Sequence, residues 1–479
     1  MTQKHAYLGL DIGTSGVKVT LISADGRLIA SGEEPYSISA PQPDHAETDP
    51  ATWIAGVSAA LHPMAEALSD VDVAALGIAG QMHGAVLCDQ HGNALAPAIL
   101  WPDRRAVDEL ERWRALRPEH LATLANPLAP GMTGPILAWL GTHHPDVVAQ
   151  ASVVLGAKDA VRAAVVDRPA TATPVTDRSD ASATLLWDVP GERWATEVCT
   201  AVGVPTRLLP EVAPSSAIVG ETSLLRRIVG DASSAVPVVT GAADTAAAAL
   251  AVEADGLQVN FGTGAQVILP TGSAARSDAH PSTHLYANTD DAWYAMAALQ
   301  NGGLALEWAA AVLGLTWNAM INAAAEGPAG GVSFLPFLSG ERGGVASPSS
   351  HGGWLGLGTT TTRTEMARAA VRGVVFAIRR GIELLGDLAS DDGRAVTLTG
   401  GGWRAPELCQ LAADVLQRPA RRVDVRSASA TGAAKLAARG VGVDLHPARA
   451  AAALVGPRYS PELAGDYERW RERCSAGEL

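Results

Sequence analysis

Residues 6–34, AYLGLDIGTSGVKVTLISADGRLIASGEE, alternate apolar and polar positions with the period of two that a β-strand imposes. Turn signals at residues 13–16 and at Asp25-Gly26 divide the stretch, so it predicts three consecutive antiparallel strands. Residues 50–68 change to helical periodicity, and strands are predicted again at 74–78 and 86–88. A Trp-rich, irregular stretch from about 101 to 230, with helical segments and a Pro-rich break at 169–174, reads as an insertion on a first domain. At Val236 the pattern restarts: strand, glycine turn, an Ala-rich helix from Thr245, then a second glycine hairpin. A strand at 395–399, Gly400-Gly401-Gly402, a helix at 406–416 and a further helix near Ala430 complete the second half.

The two hairpins align. Asp11-Ile12-Gly13-Thr14-Ser15-Gly16 stands opposite Asn260-Phe261-Gly262-Thr263-Gly264-Ala265, an offset of 249 residues. Paired hairpins of the same chemistry half a chain apart predict duplicated α/β domains, here drawn as 1–235 and 236–479. The length of 479 residues accommodates two or three domains at roughly 150 residues each.

Charge narrows the function. Fifty acidic against 36 basic residues give a formal net charge of −14, and no basic block is long enough to follow a nucleic-acid backbone. An anionic small molecule is still admissible, because backbone amides, a cation or two and a metal hold phosphates locally. The four cysteines are scattered without a CxxC pair, which argues against a zinc site or a disulfide framework and fits a reducing cytoplasm. No apolar run reaches about 18 residues, so no membrane span is expected, and Asp11 and Gly13 interrupt the N-terminal apolar stretch too early for a signal peptide.

Candidate chemistry sits at the turns. Asp11 ends an apolar strand, where a carboxylate is costly unless it is employed. With the backbone amides of the turn, the hydroxyls of Thr14 and Ser15, and Lys18 beyond, it fits a phosphate held opposite Mg²⁺, Asp11 reaching the metal through water. Asp244 stands between a strand and a helix, and two readings remain open: a helix cap, or a base for a hydroxyl attacking phosphorus. The helix N-terminus is expected to keep its pKa low. Gln81-Met82-His83-Gly84, Asp103-Arg104-Arg105 and Gly340-Glu341-Arg342 are loops that could bind a ligand or simply pack and pair.

Together these segments resemble the FGGY family of carbohydrate kinases, and within it the xylulokinase subfamily. The likeness runs in order through LGLDIGTSGVKV (8–19), LGIAGQMHGAVLCD (76–89), AILWPDRRA (98–106), AKDAVR (157–162), TGAADTAA (240–247), NFGTGAQV (260–267), FLPFLSGER (334–342) and LTGGGWRAPELCQLAADVL (398–416). It implies an α/β fold of two actin-like (ribonuclease-H-like) domains with an interdomain active-site cleft, closing over ATP, Mg²⁺ and a ketose such as D-xylulose. By matching position it implies Asp244 as catalytic base, and Met82, His83, Asp103 and Thr245 near the sugar. Asp11, Gly13, Thr14, Ser15 and Lys18 would face the γ-phosphate and metal, Gly262, Thr263 and Gly264 the other phosphates, and Gly401 and Gly402 the adenosine. The expected partners are therefore a small-molecule sugar and ATP, with no nucleic acid or membrane; a homodimer is left open.

The chain departs from the subfamily pattern where Thr245 replaces an Asn, where Arg104 replaces a small residue, and where Ala242-Ala243 precede Asp244 in place of two glycines. These departures put the choice of ketose or polyol in question and leave the phosphate hairpins intact. A non-catalytic sugar-sensing homologue is the reading of a different class, and it would be favoured by loss of Asp11, Asp244 or a phosphate glycine, none of which is lost.

Overall fold

The computed structural model describes residues 4–167, 174–230, 234–274, 278–325, 330–341, 344–347, 349–389, 393–446, 448 and 450–476. Residues 169–173 of the Pro-rich break and Arg342 lie outside them.

The three strands expected at the N-terminus form as β1 (Lys4–Ile12), β2 (Gly16–Ser23) and β3 (Leu28–Pro35), paired antiparallel with Asp11 opposite Lys18. Helix α1 (Pro50–Leu61) begins with Asp49 accepting the Ala51 N–H at 2.9 Å. Pro63, which has no N–H to continue the ladder, interrupts it with a 3₁₀ turn at His62–Met64, and a helical turn at Ala65–Ser69 then carries the segment to the expected residue 68. The chain then enters β4 (Val71–Gly80), parallel to β1 with Gly80 beside Ile12. After an excursion that contains α2 (Ala157–Val165), it returns through β5 (Ile218–Thr222), β6 (Val236–Val239) and the short β7 (Ala242–Ala243) into α3 (Asp244–Val252). The first sheet has the order β5-β6-β4-β1-β2-β3, with β7 also on β4.

The second sheet repeats the plan. β8 (Gln258–Phe261) and β9 (Ala265–Thr271) form the second hairpin, extended by β10 (His284–Ala287) and β11 (Trp293–Leu299). Helices α4 (Gly303–Leu313) and α5 (Arg363–Glu383) follow, the latter opened by a capping box in which Thr362 and Glu365 satisfy each other's amides. β12 (Val396–Thr399), α6 (Pro406–Leu416), β13 (Ala420–Asp424), α7 (Ala428–Gly440) and β14 (Ala450–Ala451) complete the order β10-β11-β9-β8-β12-β13-β14. In both sheets an antiparallel run starts at the hairpin, of three strands in the first and four (β8-β9-β11-β10) in the second, and two further strands add in parallel: β4 and β6 in the first, β12 and β13 in the second. The duplication expected from the hairpins is thus a duplication of topology.

Two expectations shift. The division at 235/236 would cut β6, β7 and α3 from the sheet they complete; sheet membership moves it between Val252 and Gln258. The reason is non-local: Val236–Val239 pairs with Ile218–Thr222 and with Leu76, which no local pattern announces. For the same reason β5, inside the expected insertion of 101–230, is an edge strand of the first sheet. The predicted strand at Val86–Cys88 forms, but in a separate ribbon with Val153–Leu155.

Helix α7 returns from the second half to lie under the first sheet, and glycines set its depth. A Cβ on Gly9 would stand 1.8 Å from the Ala430 carbonyl oxygen, one on Gly77 2.0 Å from that of Ala433, and one on Gly432 1.8 Å from that of Ala247 in α3. Sheet, α7 and α3 therefore stack at backbone contact, and α3 delivers Asp244 from a fixed platform. Across the domains, Tyr286 and Tyr294 of β10 and β11 share one apolar cluster with Met82, Ala183 and Ala243. No disulfide joins the described cysteines, and no single described helix is long and apolar enough to cross a membrane.

Candidate active site

The first hairpin is held from three sides. Gly13 N–H closes the turn on the Gly16 carbonyl at 3.0 Å, Tyr36 Oη donates to the Gly13 carbonyl, and Gln81 Nε2 donates to the same oxygen at 3.3 Å. Thr14 Oγ1 donates to Gln81 Oε1 at 3.3 Å and accepts from Trp101 Nε1 at 2.9 Å. The Thr14 hydroxyl, expected to face a phosphate, is thus an anchor of the turn, while Ser15 stands exposed at its tip.

Asp11 lies at the base of this hairpin. Burial pushes its carboxyl up from the ordinary 3.8 to about 7, the nearby Asp244 charge adds to the rise, and Lys18 opposes it. Its Oδ1 is shut off from solvent with no hydrogen-bond partner. Such an atom costs free energy unless a ligand completes it, and a divalent cation is the natural complement of a carboxylate oxygen in this position. Among the described residues no group of three or more His, Cys, Asp or Glu gathers as a metal cage.

Asp244 opens α3, but Ala243 occupies the capping position. Oδ1 of Asp244 accepts from Thr245 N–H at 2.6 Å and from Thr245 Oγ1 at 3.1 Å. The carboxyl is not held low, as the helix N-terminus led us to expect. Burial raises it to about 6, and the two Thr245 bonds only moderate the rise. The Thr245 hydroxyl, expected to meet the sugar, is directed to the base.

Met82 and His83 follow β4 on the same rim. Tyr294 Oη donates to Met82 Sδ at 3.9 Å. That phenol is held protonated chiefly by burial, with Tyr286, Asp244 and Asp180 reinforcing the effect, so it lies within electrostatic reach of the base. His83 adopts φ of 65° and places Nδ1 2.6 Å from the Ala183 carbonyl. A carbonyl only accepts, so Nδ1 carries the hydrogen and the tautomer is set. His83 also lines a pocket with Thr133, Gly156, Asp180 and Trp194.

Asp103 is engaged within the protein. Its carboxylate accepts from Ala46 N–H at 2.7 Å and from Arg105 N–H and side chain at 2.8 to 3.0 Å, and Arg105 also pairs with Glu47 at 2.7 Å. Both oxygens are therefore engaged within the protein. The clasp supports the loop that carries Trp101 onto Thr14.

The second hairpin presents Gly262 and Thr263 to solvent, with Gly262 N–H on the Gly264 carbonyl at 2.9 Å and Gly303 N–H on the Gly262 carbonyl at 2.9 Å. Gly264 is needed for packing, since its Cβ would meet the Leu299 carbonyl oxygen at 2.5 Å; Gly402 likewise would meet the Phe261 ring at 2.3 Å. At Gly262 and Gly401 a Cβ would meet no protein atom within 4 Å. Those two leave room for a ligand to approach the backbone closely.

Sequence reasoning passed over Tyr36, Trp101 and Tyr294, and the buried charges Lys158, Asp159, Asp177 and Asp180. Lys158 sits inside a segment used for the family likeness, where a charge next to apolar neighbours was the available signal.

Two sheets of this topology, each with a glycine hairpin and the first with an acid pair beside its hairpin, define an actin-like, two-domain α/β protein. The N-terminal domain of the FGGY family of carbohydrate kinases matches residues 6–251 and its C-terminal domain matches 257–441. The chain belongs to that family. It is 33% identical over 457 residues to the xylulose kinase of Escherichia coli K12, covering 94% of this chain and 92% of the relative. The Klebsiella pneumoniae xylulose kinase is also 33% identical, over 92% of this chain and 90% of that one. The crystal structure of xylulose kinase from Rhodospirillum rubrum superposes with a TM-score of 0.87 at 28% identity, covering 98% of each chain.

Proposed function

We propose that this protein transfers the γ-phosphoryl group of ATP to the terminal 5-hydroxyl of D-xylulose. The observation that carries the reading is the acid pair: Asp11 beneath one glycine hairpin and Asp244 on the adjacent helix start, close enough for the charge of one to raise the pKa of the other. The substrate follows from the full-length likeness to xylulose kinases.

In this mechanism Asp244 Oδ2, the oxygen not engaged by Thr245, accepts the proton of the sugar hydroxyl as its oxygen attacks the γ-phosphorus. A base with a pKa of about 6 is ionised at neutral pH yet basic enough to take the proton late in a loose transition state. Met82 and His83 position the sugar on the first-domain rim. The amides of the 13–16 and 262–264 turns cradle the phosphates, with Lys18 supplying positive charge on the Asp11 side, and Gly401 lies against the adenosine. Oδ1 of Asp11 is the protein oxygen that would hold Mg²⁺, directly or through water. When bound, Mg²⁺ offsets the negative charge of the triphosphate. The Tyr286–Tyr294 cluster against Met82 and Ala243 excludes water at the sugar end, which limits transfer to water in place of sugar.

Coupled ADP release measured over a panel of ketoses and polyols tests the reading. D-xylulose is expected to give the highest kcat/KM, with the product phosphorylated at O5. Preference for ribulose, L-xylulose or a tetrulose would overturn the substrate, and absence of ADP release with every sugar would overturn the kinase in favour of a sensor.

A further inference from the structure

Behind the turn that delivers Asp244 lies a cluster of charges that the phosphoryl transfer does not touch. Lys158 of α2 is wholly buried, with Nζ 2.6 Å from Asp159 Oδ1, 3.2 Å from Asp177 Oδ1 and 3.0 Å from Asp180 Oδ2. Arg162, one turn on, pairs with Asp159 at 2.6 Å, and Thr176 donates to the other Asp159 oxygen at 2.6 Å. Desolvating such an assembly costs several kcal/mol per ion, and well-packed apolar side chains often do as well for stability. Stability alone therefore does not account for it.

What distinguishes the cluster is the backbone it grips. Arg162 donates to the Thr240 carbonyl. Asp177 Oδ2 accepts from Ser179 Oγ at 2.6 Å, and Ser179 Oγ in turn accepts the Ala243 N–H at 2.9 Å. Thr240 and Ala243 bracket Gly241, whose φ is 84° and whose Cβ would stand 2.0 Å from the Ile78 carbonyl oxygen. The four residues leading into Asp244 are thus fixed at both ends by the same ion cluster and in the middle by a backbone contact that only glycine permits.

We propose that Ser179, held by Asp177 and through it by Lys158, is a positioning residue that sets the catalytic base through the Ala243 amide. The proposal rests on the reading of Asp244 as base. It gives the buried lysine a task in turnover, because a shift of about 1 Å in a reacting group can cost on the order of 100-fold in rate.

A matched pair of variants tests it. Ser215 donates to the same Asp177 Oδ2 at 2.8 Å and is as fully buried as Ser179, but it meets the turn before Asp244 through its carbonyl, which accepts the Gly241 N–H at 2.9 Å and is kept in an alanine variant, and its side chain makes no described hydrogen bond to that turn. Ser179→Ala and Ser215→Ala therefore delete equivalent hydroxyls from one carboxylate, and only the first cuts the link to Ala243. With D-xylulose and ATP, Ser179→Ala is expected to lower kcat by roughly 10- to 100-fold while both KM values stay within about threefold, and Ser215→Ala to keep kcat within about threefold. Equal losses of kcat in the two variants, or a Ser179→Ala enzyme at wild-type turnover, would overturn the proposal. If Ser179→Ala fails to fold, Ser179→Cys, of similar size and a weaker acceptor, carries the same expected split and the same refutation. Asp244→Ala in the same assays separates the two ideas: full turnover there would refute the base itself, whatever Ser179 does.

Discussion

Replacing Asp11 by Asn should make the ligand-free protein more stable while abolishing its activity, and the size of the gain follows from the carboxyl's environment. Asp11 titrates at about 7 in the folded protein against an ordinary 3.8, a difference of about 3 units. Between those values the unfolded chain has released the proton and the folded chain has not, so the folded state binds more protons. Its stability consequently falls as pH rises from about 4 to about 7, and stays reduced above that. At about 1.4 kcal/mol per unit the penalty at pH 8 is about 4 kcal/mol. Asn carries no charge at any pH, but its amide is still shut off from water beside the same unpartnered position, so about half should be recovered, or about 2 kcal/mol. Urea unfolding of both proteins at pH 8 and pH 5, without nucleotide or metal, measures it. The expected result is an Asn variant more stable by about 2 kcal/mol at pH 8, with the gap narrowing toward pH 5. No gain at pH 8, or a gain independent of pH, would refute the argument that Asp11 is a desolvated carboxylate awaiting a cation.

Two further outcomes follow from the geometry. Because Asp244 is raised to about 6 and must be ionised to act, kcat should be half-maximal near pH 6 and fall about tenfold per unit below pH 5; a profile flat to pH 5 would remove it as the titrating base. Gly432→Ala, which drives a methyl to 1.8 Å from the Ala247 carbonyl oxygen, should destabilise by about 1–3 kcal/mol or more in urea unfolding, whereas Gly401→Ala, with no protein atom within 4 Å, should leave stability unchanged and raise KM for ATP.

The sequence revealed what is local and repeated. The Asp11–Gly16 and Asn260–Ala265 turns are tight, chemically distinctive and separated by 249 residues, so the two hairpins and the meanders around them were legible without coordinates. What pairs over distance was not. Val236–Val239 reads as a fresh start, and only its register with Leu76 and Ile218–Thr222 shows that it closes the first sheet. Helix Ala428–Gly440 belongs by position to the second half and by packing to the first, through glycines whose need for close approach is invisible until the partner backbone is known. Side-chain commitments were hidden for a related reason. Thr14, Thr245 and Asp103 have the right chemistry for ligand contact, but Gln81 and Trp101, Asp244, and Arg105 and Ala46 respectively take up their hydrogen bonds. The acidity expected for Asp244 from the helix end was outweighed by burial, which a linear sequence does not display.

The central claim is that Asp244 removes the proton from the hydroxyl that receives the phosphoryl group. It is tested most directly by measuring turnover and D-xylulose affinity side by side in Asp244→Ala, the latter by titration calorimetry. The account predicts a kcat lower by about 10²- to 10⁴-fold with sugar affinity within a few-fold of wild type. Turnover close to wild type, or a loss of activity fully explained by lost sugar binding, would contradict it.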